Sequence, residues 1–181
     1  MSSFASSFPV ARPALGVRDA RLYVFAAALT AGNVAAPMAV HSIPRGGLIF
    51  LPIFFFTLIA AYRFGFAAGA LTGLASPLLN NALTGMPPAA ELFTVLAQSI
   101  VLAAIAAFLA ARTVRVQVWP LLLAAVAMQL AGFVIDLARG GTVASGLDVL
   151  RLGIPGVALM VVGGYAVLRL LDRFAIGRAS R

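Results

Sequence analysis

The side chains able to do chemistry are few and widely spaced. Among 181 residues there are five acidic groups, one histidine and no cysteine. The absence of cysteine excludes disulfides, thiolate metal sites and cysteine nucleophiles. One imidazole, His41, cannot assemble a metal site by itself. No paired carboxylates, histidine-containing triad or HExxH stretch occurs, so the sequence is read as that of a non-enzyme without a cofactor. Ser76 and Ser99 stand in apolar runs with no base in reach of the pattern. Gly46-Gly47 is too short for a phosphate loop, and no GxxxxGK[ST] motif exists to bind ATP.

Seven polar residues remain as candidates for ligand contact: His41, Arg45, Asn80, Asn81, Glu91, Asp136 and Arg139. Each also has a structural reading. His41 is either a solvated loop residue or, beside the compact Pro44-Arg45-Gly46-Gly47 turn, part of a lid. The amides of Asn80 and Asn81 diverge by about 100° on a helix, which suits interhelical hydrogen bonding or a helix-end cap as well as a ligand. Glu91 follows Pro87-Pro88, where a carboxylate favourably meets a helix N-terminus. Asp136 and Arg139 share a helical face and their spacing permits a salt bridge.

The elements that must position these residues are membrane helices. Hydrophobic residues form 62% of the chain, charged residues 10%, and mean hydropathy is +1.06. Soluble domains are nearer 45–50% apolar and about 25% charged. A span needs about 20 mostly apolar residues. Six such runs predict an all-α integral membrane protein: Leu22 to about Val40, Gly47 to Tyr62, Phe66 to Thr84, Leu92 to Ala111, Val118 to Ala138, and Leu152 to Leu171. Gly, Pro and Arg clusters separate them as turns, and Leu147 to Leu150 suits a short interfacial helix. Residues 1–20 read as a tail without a cleavable signal, residues 21–174 as one membrane domain, and 175–181 as a second tail.

The net charge of +8 comes entirely from thirteen arginines scattered between apolar runs, with no basic stripe for nucleic acid. An inside N-terminus puts Arg12, Arg18, Arg21, Arg63, Arg112, Arg115, Arg169, Arg173, Arg178 and Arg181 in the cytoplasm, leaving Arg45, Arg139 and Arg151 outside. Arginine excess marks the cytoplasmic side, so both termini are expected there. Tyr23, Tyr62, Trp119 and Tyr165 then fall near cytoplasmic helix ends as interfacial anchors. On the first helix, Ala27, Ala31, Ala35 and Ala39 recur every fourth residue beside Gly32, a smooth stripe that lets another helix approach closely.

Gly32-Asn33, Ala35 to Ala39, the His41-to-Gly47 turn, Leu51 to Gly65 and Ser76 to Pro88 carry a resemblance over about residues 24–112. This stretch, with six spans in a chain of this size, resembles the substrate-binding S component of energy-coupling factor (ECF) vitamin transporters. The resemblance implies a bundle in the cell inner (plasma) membrane that captures a vitamin-like small molecule at its outer face. It also implies a membrane coupling protein and two ATPase subunits as partners. Ala27, Ala31 and Ala35 would be the docking stripe, and His41 and Arg45 would belong to a gate over the pocket. The vitamin is left open, cobalamin being one candidate. An assembly protein that packs with partner helices and a small intramembrane enzyme are the competing readings.

Overall fold

In the computed structural model the described residues are 14–39 and 43–179, with side chains described over 14–38 and 43–173. These residues form eight α-helices and no strand. They are α1 Ala20–Ala39, α2 Gly46–Phe50, α3 Pro52–Phe64, α4 Phe66–Thr84, α5 Ala89–Ala111, α6 Val118–Ala138, α7 Val143–Leu152 and α8 Ile154–Ala179. The expected second helix is thus two pieces. Pro52 disfavours the right-handed helical region for the residue before it, and Leu51 adopts φ 49°, ψ 39°, so the chain turns a corner before α3 resumes.

α3 is the hub. It packs against α1, α4, α5 and α8, while α5 packs on α6 and α6 on α8. Helices α3, α5, α6 and α8 therefore close a ring, and α1 and α4 lie together on its flank. Residues from α3, α5, α6 and α8, including Phe54, Leu58, Leu102, Leu121, Met128 and Met160, share one apolar core.

In lipid, helices gain little from burying apolar surface against each other, so close contact and hydrogen bonds hold the bundle. The glycines show where contact is closest. A Cβ on Gly73 would stand 2.9 Å from both Ser99 and Thr57, and one on Gly156 would meet the Ile49 carbonyl oxygen at 2.7 Å. The second contact presses α8 on the α2–α3 corner.

The helices alternate so that the two ends differ in charge. At one end Leu15 N–H donates to the Phe64 carbonyl at 2.9 Å, Phe25 stacks on Phe64, and Arg63 lies 4.0 Å from Asp172. Tyr62 and Thr113 hydroxyls meet there at 3.1 Å. This end holds Arg18, Arg21, Arg63, Arg112, Arg115, Arg169 and Arg173, whereas Arg45, Arg139 and Arg151 lie towards the opposite end. Tyr23 and Trp119 are exposed at the arginine-rich end, as anchors would be. Tyr62 differs: it is only 1% exposed, because it faces inward from the hub helix.

Among the described residues four stretches are long and apolar enough to cross a membrane: Gly46–Phe64, Ala89–Ala111, Val118–Ala138 and Val143–Arg173. α1 and α4, of 20 and 19 residues, fall outside that set. Thr72, Ser76, Asn80 and Asn81 interrupt the apolar character of α4.

Candidate functional site

Away from the arginine-rich end, the last turns of α6 present one face carrying Gln129, Phe133 and Asp136. Their i, i+4, i+7 spacing aligns them over about 10 Å of helix. The segment that follows turns back over this face at three glycines. Added Cβ atoms would collide with Gln129 at Gly153, with the Phe133 ring at Gly146 and with the Asp136 carboxylate at Gly141. Each α6 side chain therefore occupies space that a glycine leaves free. α7, which carries Gly146, is fixed at its start by a reciprocal cap: Ser145 N–H donates to Thr142 Oγ1, and Thr142 N–H to Ser145 Oγ, both at 3.1 Å.

Gln129 is the unusual member of this face. It is only 7% exposed, and its Nε2 fills the space beside Gly153. Across the α5–α6 contact, Gln98 Nε2 points at the Met128 carbonyl at 3.4 Å and lies over Gly132. Asp136 and Arg139 do not form their permitted ion pair. Arg139 Nη1 instead donates to Thr94 Oγ1 of α5 at 3.1 Å, and the Asp136 carbonyl accepts from Gly141 N–H at 2.9 Å.

A second polar locus lies between α1, α3 and α4. Asn33 Nδ2 donates to Thr57 Oγ1 at 2.9 Å and to Ser76 Oγ at 3.1 Å. Its Oδ1 accepts from Phe56 N–H at 3.0 Å. Ser76 passes its own proton to the Thr72 carbonyl. Thr72, Ser76 and Asn80 recur every fourth residue on the buried face of α4. The Thr72 hydroxyl and Asn80 Oδ1 have no partner among the described residues, so polar capacity remains at both ends of this stripe.

The candidates read from sequence thus separate into distinct places. Asn80 is buried on the α4 stripe. Asn81 Nδ2 donates to the Pro87 carbonyl at 2.7 Å and holds the α4–α5 turn. Glu91 is exposed in the first turn of α5. Asp136 and Arg139 sit at the α6 terminus. Arg45 is exposed, with a left-handed backbone at φ 60°, at the start of α2. His41 lies outside the described residues. The structure joins Arg139 to Thr94 of α5 and sets Asp136 against Gly141. Asn80 stands apart from them on the buried face of α4.

Ala27, Ala31 and Ala35 are exposed on α1. With Thr30, Val34 and Met38 they form one wall of a groove of about 580 Å³, whose other wall is Leu71, Ala75, Leu79 and Leu83 of α4. Its surface is almost wholly aliphatic. Tyr23 closes one end, donating its hydroxyl to the Val17 carbonyl at 2.9 Å.

No protein-family model, curated protein or solved structure matches this chain. Sequence reasoning passed over Asn33, Gln98 and Gln129 as site residues. A signal was present for the two glutamines, each a lone carboxamide inside a run otherwise apolar enough to cross a membrane, where buried polar groups are costly.

Proposed function

We propose that this chain is the substrate-binding subunit of an ECF-type ATP-driven importer, capturing a vitamin or related small organic micronutrient. In this reading α1, α2–α3, α4, α5, α6 and α7–α8 make six spans in the cell inner (plasma) membrane. The excess of arginine at one end supports placing that end, and with it both termini, in the cytoplasm. The opposite end, where Gln129, Phe133 and Asp136 stand under α7, then faces outward.

The observation that carries the reading is the open α1–α4 groove. Its alanine wall suits a partner helix lying against α1, because small side chains let backbones approach closely in lipid. A coupling protein docked there would link this chain to two ATPase subunits, which would supply ATP hydrolysis. The chain itself performs no covalent chemistry in this account. The same groove also suits an assembly protein.

Ligand capture is tested by thermal unfolding of the purified full chain with a panel of vitamins. A specific ligand at 100 times its Kd raises stability by about 2.7 kcal/mol. At least one compound is expected to raise the melting temperature. A flat response across the panel would count against capture.

A further inference from the structure

Resting on the reading that α1 and α4 span the membrane, we infer that in the free subunit their groove holds an acyl chain of an anionic phospholipid, with the lipid phosphate at Arg18. A docking partner has to displace that chain. The first reason is what the groove offers an occupant. Its volume is about 580 Å³, its walls are aliphatic, and Met38, Leu71, Leu79 and Leu83 stand exposed along them. A polar solute finds almost nothing there to hydrogen-bond, and polar groups left without partners are unfavourable. Hydrocarbon makes no such demand. An empty gap would forfeit dispersion contacts on both walls, and in a bilayer the material at hand to fill it is an acyl chain.

The second reason is an asymmetry of charge. Lipid tails are as apolar as leucine, so a chain gains little by entering the groove, and the head group must supply the selectivity. At the arginine-rich end the groove is closed by Tyr23, whose hydroxyl donates to the Val17 carbonyl at 2.9 Å. The next residue, Arg18, is exposed. The carboxylate beside it is already engaged, since Asp19 meets Arg21 Nη2 at 2.8 Å. Arg18, Asp19 and Arg21 together thus leave one net positive charge at the closed end. Beyond Leu83, at the other end, the turn 85–88 carries no charge. One anionic head on a long aliphatic tail matches that asymmetry, whereas a transmembrane helix does not call for it. The third reason is length. The wall from Tyr23 to Val34 is about 16 Å of helix, close to the about 15 Å of hydrocarbon in one leaflet, so a single chain from the arginine-rich side fills most of the groove.

The test is native mass spectrometry of the delipidated full-length protein in detergent, titrated with phosphatidylglycerol and with phosphatidylcholine. One phosphatidylglycerol is expected to be retained in preference to phosphatidylcholine. A single arginine near the membrane surface is worth about fivefold in affinity for an anionic lipid. Arg18→Gln should therefore reduce the preference by about that factor, while Arg115→Gln in the α5–α6 turn leaves it unchanged. Ala31→Trp, which fills the groove, should abolish retention; if that variant does not fold, Ala27→Phe on the same wall takes its place. Equal retention of the two lipids, or retention of phosphatidylglycerol indifferent to Arg18→Gln and to the filled groove, overturns this inference and leaves partner docking standing. A dimer of the chain that excludes lipid and is lost on filling the groove overturns it as well. Retention with the expected dependences, in a chain that brings down no ATPase subunits, upholds the lipid site and counts against the docking reading alone.

Discussion

Asn33 and Asn80 are both buried amides, yet they are expected to respond oppositely to removal. Asn33 uses both amide protons and its oxygen to join α1 to α3 and α4. Replacing it with Leu strands Thr57 and Ser76, and loss of a partner from a buried hydrogen-bonded group costs about 1–3 kcal/mol. Asn80 Oδ1 has no partner among the described residues, so Asn80→Leu should be neutral or stabilising in the ligand-free protein. Thermal unfolding of the two variants side by side checks this, and equal losses would show that Asn80 is also a structural tie. Neither role was readable from the chain. A carboxamide's worth depends on what faces it, and the groups facing Asn33 come from two other helices. For the same reason Gln129 is legible in the chain only as an isolated amide, since Gly153, which it packs against, comes from the segment after α7.

At the scale of helices the sequence was more informative, because the length of an apolar run is a local property. The boundaries of Phe66–Thr84 and Val118–Ala138 are those of α4 and α6. Two features escaped. The apolar run from Gly47 to Tyr62 reads as one helix by length, although Pro52 within it already disfavours a helical Leu51; the close approach of Gly156 of α8 helps to hold that left-handed turn. The short helix expected at Leu147 to Leu150 is longer, Val143–Leu152, because the Thr142–Ser145 cap starts it earlier. That cap makes α7 testable as a unit. Loss of such a cap costs about 0.5–2 kcal/mol, so Thr142→Ala should speed amide hydrogen exchange in α7 while α3 and α5 keep their protection. Unchanged exchange in α7 would mean that contacts with α6 alone hold it.

At the scale of the molecule, two asymmetries organise the account. One is charge: Arg18, Arg21, Arg63, Arg112, Arg115, Arg169 and Arg173 gather at one end of the bundle. The absence of native cysteine makes the resulting orientation directly measurable. A membrane-impermeant maleimide applied to intact cells should label Ala144→Cys on α7 and spare Val114→Cys in the α5–α6 turn until the membrane is opened. The reverse pattern would invert the topology.

The other asymmetry is the groove on α1–α4, which gives the chain a face for a partner and thus the central claim its sharpest test. Affinity purification of the tagged full chain from its native membrane is expected to bring down a membrane coupling protein and two ATPase subunits. Ala31→Trp, which fills the groove without entering the core, should lose them at an unchanged melting temperature. Recovery of other membrane subunits without ATPases, or of ATPases equally with Ala31→Trp, would contradict docking of an ATP-driven partner in this groove.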